Sequence, residues 1–388
     1  MQDQTSSSAV GPADSQIGFV PDSPIARLLT QAQHAFFARL PKVELHCHLL
    51  GTVRRETFQA LAAKHGAPLT AQDIDGFYTR GTRPIGVLRV LRALEAYLLL
   101  EPDDLRQITY EYLEDAAAGA IRHAEFFWNP TATIRDAGLP YDRALAGILE
   151  GMRAAQGDFG ISSLLIPAID REAPAADAMT MVEAVVAHPD PRVAGIGIDY
   201  REPDGPPEMF ADAYALARRH GLRTTAHAGE FGMPWTNVAT VVDQIGVDRV
   251  DHGYTIIENP ELARACAARG LLFTIVPTNS YYLRTLDADR WALDHPIRRM
   301  AQLGLKLHPN TDDPTLHHVS PAGAWELMYS HLGFGLTDLR TMMLNGIDGA
   351  WASEAQKTLW RAQWPAEFDT LAAEAGFASG AWLSLRDF

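Results

Sequence analysis

Short apolar runs alternate with longer stretches in which apolar residues return every three or four positions, from residue 43 almost to the carboxyl end. The runs lie at 43–48, 121–128, 161–169, 193–199, 222–229, 248–254, 271–279 and 304–312. Their length and their β-branched and aromatic content mark them as strands. Between them, stretches such as 105–118, 209–220 and 260–269 have the period of amphipathic helices. Eight strands interleaved with helices in 388 residues predict an α/β fold, a (β/α)8 TIM barrel. An open doubly wound sheet is the alternative that the pattern leaves.

Three helical additions to the barrel are expected. Asp22 or Ser23 can cap a helix with Pro24 in its first turn, continuing through Ile25, Leu28, Leu29, Ala32, Phe36, Phe37 and Leu40 at helical spacing to end at Pro41. The insert 52–120 between the first two strands is helical in pattern and contains Thr79-Arg80-Gly81-Thr82-Arg83-Pro84. It leaves a strand's carboxyl end, where it can cover a substrate. Residues 321–388 read as further helices, including 323–332 and 353–373. The polar stretch 1–20 reads as a mobile arm, and 21–388 as a single domain without repeat or linker.

Polar residues concentrate where the strands end. Leu45-His46-Cys47-His48 closes the first run, and alternation along a strand puts both imidazoles on one face. The fifth ends Thr225-Ala226-His227-Ala228-Gly229-Glu230, the sixth Asp251-His252-Gly253-Tyr254, and the eighth Asn310-Thr311-Asp312-Asp313-Pro314. In a parallel barrel these ends meet on one face. Three imidazoles and a carboxylate suit zinc or a similar divalent ion, so His46, His48, His227 and Asp312 are the expected ligands. His252 is then available to orient or deprotonate water. Glu230, beyond a small Ala-Gly turn that lets the backbone approach a ligand, can serve as acid or base, and Asp313 can take a substrate donor.

Composition narrows the setting. With 33 Lys+Arg against 48 Asp+Glu the net charge is −15, which disfavours nucleic acid and anionic membranes as partners. Two cysteines, Cys47 and Cys266, are too few for a disulfide framework or for the Cys-based zinc site of the base-flipping deaminases. No signal-peptide pattern or membrane span is visible, so a cytoplasmic protein is expected; homo-oligomerisation is left open.

Taken in order, Leu45-His46-Cys47-His48-Leu49 with Gly51, His227-Ala228-Gly229-Glu230, Asp251-His252-Gly253-Tyr254 and Asn310-Thr311-Asp312-Asp313-Pro314 resemble the adenosine/adenine deaminase family of metal-dependent barrels. The resemblance spans about residues 38 to 350. It implies zinc and the hydrolytic removal of an exocyclic amine from a purine-like ring by water activated at the metal. It also implies His46, His48, His227 and Asp312 as ligands, Glu230 as the proton donor to the ring nitrogen, His252 as the water-orienting base, and Asp313 as a contact to the imidazole side of the purine. A raised pKa is expected for Glu230.

The chain departs from the family in places. Nucleoside-specific members carry an acidic residue where Leu50 stands, so a sugar hydroxyl has no evident partner there. Ile198-Asp199-Tyr200-Arg201-Glu202-Pro203 replaces a Gly-containing turn; Tyr200, Leu50 and Gly229 are expected beside the substrate, and Arg201 and Glu202 either contact it or pair on the rim. Thr278-Asn279-Ser280-Tyr281-Tyr282-Leu283 and Lys306-Leu307-His308-Pro309 are expected to add bulk near the pocket. Residues 122–130 and 205–210 look more like the adenine and N6-substituted-adenine branch, although that branch also has an acidic residue at the Leu50 position. Adenine, an N6-substituted adenine or a modified adenosine is therefore the expected substrate. Another amino-heterocycle, an amide or ester, and a catalytically silent binding role are the alternatives. Phe126, Phe127 and Trp128 are read as strand core.

Overall fold

The computed structural model describes residues 20–79 and 86–385. Apart from Val20, the arm expected at 1–20 lies outside them, as do residues 80–84 of the Thr79–Pro84 stretch.

Eight strands form one sheet in sequence order, every neighbouring pair parallel: β1 (Lys42–His48), β2 (Ile121–Trp128), β3 (Ser162–Asp170), β4 (Gly195–Asp199), β5 (Arg223–Ala228), β6 (Arg249–His252), β7 (Leu272–Ile275) and β8 (Lys306–Pro309). Past the end of β8 the chain meets β1 again through a parallel bridge between Cys47 and Asp312. His48 N–H donates to Asp312 O at 2.8 Å, and Asp312 N–H to His46 O at 3.0 Å. This closure makes the sheet a barrel rather than an open doubly wound layer, and it sets Asp312 across one seam from His46 and His48, three of the four expected ligands. Glu44 reinforces the seam, fully buried with Oε2 accepting from Thr311 Oγ1 at 3.0 Å; burial pushes its carboxyl up to about 8.

The last four strands are shorter than their apolar runs. The polar residues that follow Ala228, His252, Ile275 and Pro309 leave the ladder and turn across the barrel mouth.

The amino-terminal helix begins later than its apolar period implies. Helix α1 is Gln31–Arg39, started by a capping box in which Thr30 accepts from Gln33 N–H and the Gln33 side chain returns to Thr30 N–H. Upstream, the Ser23 turn does not propagate. Arg27 instead donates from its backbone to Ser330 O and from its guanidinium to Phe334 O at 2.6 Å, which draws the segment along the carboxyl-terminal helices and leaves Leu28 exposed. α1 ends just before β1 at the barrel floor, where buried Lys42 Nζ donates to Phe37 O and Leu40 O.

The insert after β1 is helical as expected: α2 (Arg55–His65), α3 (Ala71–Phe77), α4 (Val87–Tyr97) and α5 (Pro102–Ala118). α4 reaches over the barrel mouth. Its Arg92 forms a forked pair with Asp170 at the end of β3 (2.8 and 3.0 Å) and lies 3.9 Å over the Tyr200 ring, whose hydroxyl donates to Glu95. Bidentate guanidinium–carboxylate pairing with a buried partner fixes position as well as adding energy. After β8 the chain ends in the helices Pro321–Ser330, Leu336–Gly349 and Glu354–Glu374. Among the described residues no helix is long and apolar enough to cross a membrane.

Candidate metal centre and substrate cavity

The ends of β1, β5 and β8 bring His46, His48, His227 and Asp312 to one point, with a donor atom from each within 4.8 Å of the others. His48 Nε2 lies 3.2 Å from His227 Nε2 and 3.2 Å from Asp312 Oδ1, and His46 Nε2 lies 3.4 Å from the same carboxylate oxygen. A tetrahedral ion with ligand distances of about 2.0–2.1 Å has donor-to-donor edges of about 3.3 Å, so these spacings fit one divalent ion. His46 Nε2 is buried with no hydrogen-bond partner, as a nitrogen whose lone pair awaits a metal would be. Burial and the neighbouring His46 hold His227 down at about 4, in the neutral form that a ligand needs. Burial works against ionised Asp312, but His46 and His48 outweigh it and keep its carboxyl well below the usual range.

Each imidazole is backed at its other nitrogen. His46 Nδ1 is 3.0 Å from Thr274 Oγ1, His48 Nδ1 is 3.5 Å from Asp199 Oδ2, and His227 Nδ1 is 3.4 Å from Asp251 Oδ2. Asp251 also accepts from Thr225 Oγ1 at 2.8 Å and Thr274 Oγ1 at 2.7 Å, so one buried carboxylate braces two ligands. Phe127 lies beneath His46, His48 and His227, ring centroids 5.0–5.5 Å apart, in the strand-core role expected for it. Such backing groups orient ligands and typically contribute 10–100-fold in metal affinity. Asp251→Asn should therefore bind zinc about 10–100-fold more weakly in chelator competition while keeping its fold. Unchanged affinity would reduce Asp251 to a packing role.

His252, the last residue of β6, has a left-handed backbone (φ +64°), and its ring lies 4.6 Å from the His46 ring and 4.9 Å from that of His227. Its tautomer can be assigned from its neighbour. Tyr254 Oη donates its one hydrogen to Val276 O at 3.0 Å and accepts from Val276 N–H, so the 3.2 Å contact with His252 Nδ1 requires the imidazole to donate. Nε2 is then an unprotonated acceptor facing the site. Burial, followed by His46 and His227, holds the ring pKa well below the ordinary value.

Glu230 completes the centre. Its Oε2 is 3.6 Å from His252 Nε2, and Oε1 accepts from Asn279 Nδ2 at 3.1 Å, which leaves Oε2 to carry a proton. Burial, with Asp312 and Glu202 nearby, raises its pKa well above the carboxylate range, in the expected direction.

Asp313 sits against the turn after β1, in space left by Gly51: a Cβ there would stand 2.0 Å from Asp313 Oδ1. The glycine of the first motif is thus required by the aspartate of the last.

The cavity above these groups measures about 460 Å³. His48, Asp199, Tyr200, His227, Glu230, Asp312 and Asp313 line it below and to the side, Val87, Leu88 and Leu91 of α4 form an apolar wall, and Asn279, Ser280 and Tyr281 close it after β7. The bulk expected from 278–283 is therefore present. That expected from 306–309 is not, because His308 points to the opposite side of β8, its ring nitrogens 3.0 and 3.1 Å from Met342 O and Val43 O.

Two expected substrate contacts do not line the cavity. Leu50 is buried in the main apolar cluster, and Gly229 (φ +65°) gives its N–H to Glu202. Of the Arg201–Glu202 pair, Arg201 lines the cavity and meets Asp204 at 3.4 Å, whereas Glu202 is buried beneath the 227–230 turn, so the two do not pair. Sequence reasoning gave no individual role to Asp199, Asp251 or Thr274, read Asn279 only as part of the bulk near the pocket, and placed Glu202 at the substrate or the rim rather than beneath the 227–230 turn. The signal for both aspartates was a carboxylate at a strand end, Asp251 inside the Asp251–Tyr254 motif and Asp199 at the end of the fourth run.

The sequence model of the adenosine deaminase family matches residues 41–362. An adenine deaminase from Rhodospirillum rubrum is 32% identical over 336 residues, covering 83% of this chain and 95% of its own length. Among solved structures, an amidohydrolase from Burkholderia ambifaria with bound zinc is 62% identical with a TM-score of 0.91, covering 92% of this chain and 98% of the other. An adenine deaminase from Arthrobacter aurescens is 30% identical with a TM-score of 0.77, covering 85% and 99%.

Proposed function

The chain belongs to the adenosine deaminase family, and from that premise we propose that it is a zinc-dependent aminohydrolase removing the exocyclic amine of a purine-type ring. The observation that carries this reading is Glu230: a buried carboxyl whose surroundings favour its protonated form, 3.6 Å from His252 and beside a three-histidine, one-aspartate metal site. An amide or ester hydrolase would use the same metal site, and the family match over residues 41–362 favours a ring nitrogen as the group that this acid meets.

His46, His48, His227 and Asp312 would hold the ion. Zinc bound there lowers the pKa of a water to about 7 and supplies a nucleophile near neutral pH. The chain's own groups do the rest. Glu230 Oε2 delivers its proton to the ring nitrogen, which removes aromatic resistance at the adjacent carbon. His252 Nε2 accepts a proton from the water as the carbon–oxygen bond forms and passes it to the departing amine. The hydroxyl proton of the tetrahedral carbon returns to Glu230 as the carbonyl forms, so the acid is restored and the products are a ring lactam and an amine. Asp313 contacts the imidazole side of the ring, away from the reacting carbon.

The cavity volume is in the range of small-molecule sites, about 300–1,000 Å³. The apolar α4 wall suits a substituent without hydroxyls, so adenine, N6-substituted adenines and modified adenosines are the substrates proposed. Leu50, turned into the core, presents no group to a sugar hydroxyl. Cys47 and Cys266, both buried and unpaired, fit a reducing compartment such as the cytoplasm as the setting.

A release screen on the zinc-loaded protein tests the reading: ammonia, or the substituent amine, from adenine, N6-substituted adenines, adenosine, 5′-modified adenosines, pterins and guanine-like bases. Turnover of at least one 6-aminopurine is expected, with adenosine below the free bases. No amine from any ring would overturn the proposal.

A further inference from the structure

Two buried charged side chains outside the cavity bracket the turn that carries both a metal ligand and the acid. We propose that Glu202 and Arg171 are positioning residues that grip the 227–230 turn from either side and set where the Glu230 carboxyl stands over the metal site. The inference rests on the reading of Glu230 as proton donor.

The turn has a problem that backbone alone cannot solve. Only Ala228 and Gly229 separate His227 from Glu230, and Gly229 is left-handed, so successive N–H groups point beneath the turn into the protein. Unpaired, they would leave the turn free to shift. Glu202, fully buried after β4, takes both: Oε1 accepts from Gly229 N–H at 2.9 Å and Oε2 from Glu230 N–H at 3.0 Å, while Asn237 Nδ2 donates to Oε1 at 2.8 Å. A neutral amide offers one acceptor where the turn requires two.

Arg171, 1% exposed after β3, holds the other side. Its Nη1 donates to His227 O at 3.1 Å and its Nε to Gly205 O at 2.9 Å, at the end of the short turn that begins with Glu202. The ends of β3, β4 and β5 are thereby tied around one peptide segment. Neither side chain lines the cavity, so neither meets substrate. Their effect passes through Glu230, where a displacement of about 1 Å costs roughly 10²-fold in rate.

A double-mutant cycle of Glu202→Gln and Glu230→Gln in the zinc-loaded enzyme tests this, using the ring turned over fastest in the release screen. Glu202→Gln should lower kcat by about 30–100-fold with KM within about threefold and zinc still near one per chain. The double variant should be no slower than Glu230→Gln alone, because a displaced acid and an absent acid lose the same step. Full additivity, an unchanged kcat for Glu202→Gln, or a rate loss matched by zinc loss would overturn the positioning role. If Glu202→Gln does not fold, Arg171→Lys enters the same cycle with the same criteria. Full activity of Glu230→Gln would instead refute the proton-donor reading and, with it, the inference.

Discussion

Replacing His227 with alanine is expected to yield a folded protein without bound zinc and without measurable amine release. The imidazole supplies one of the four donors, its Nε2 standing 3.2 Å from that of His48, and its loss leaves three. The fold should survive, because the turn is held through backbone groups: His227 O by Arg171, and the Gly229 and Glu230 N–H groups by Glu202. The metal's charge stabilisation amounts to several kcal/mol, and each 1.36 kcal/mol is tenfold, so the rate loss should be on the order of 10³-fold or more. Metal content by emission spectroscopy and amine release on one preparation check both halves. A metal-free variant that still turns over substrate would sink the mechanism.

Glu230→Gln is expected to reach a similar end by another route: zinc retained, KM within a few-fold, and kcat reduced by about 10²–10⁴-fold. Glutamine keeps the size of the side chain and an oxygen to accept from Asn279, but has no proton to deliver. The pH profile carries the sharper information. Burial, Asp312 and Glu202 raise the Glu230 pKa, so the acid form persists above the ordinary carboxylate range and is lost as pH rises through the raised value. The fall in rate on the alkaline side should disappear with the carboxyl. A variant profile that overlays that of the unsubstituted enzyme would contradict the role.

The two variants separate what the metal does from what the acid does, and the residues behind each were legible to different degrees. His46 and His48 are separated by one residue on a strand, so their shared face follows from local geometry alone. His227, Glu230, His252, Asp312 and Asp313 were recognisable because each closes an apolar run, and a parallel barrel gathers run ends on one face. The first helix was misjudged for a local reason with a distant cause: its apolar period continues upstream of Thr30, but Arg27 finds carbonyls on the carboxyl-terminal helices that no local pattern announces. Leu50 follows the ligand pair closely in sequence, yet the turn Leu49–Thr52 carries it into the core.

By itself, then, the amino-acid order determined the alternation of strand and helix, the closed parallel architecture that this alternation favours, and the residue types that gather at the strand ends and are proposed as ligands and acid. These depend on period and residue type, which are properties of short segments. Tertiary structure alone decided how those groups are aimed. Tyr200, His252 and Asp312 adopt left-handed backbone conformations costly to residues other than glycine, which persist only where surrounding contacts hold them. Asp199, Asp251 and Thr274 set the ligand nitrogens, and Glu202 and Arg171 hold the turn of the acid, through contacts between residues far apart in the chain. A hydrogen bond across the barrel depends on the separation and angle of two strands, and neither is encoded within any one of them.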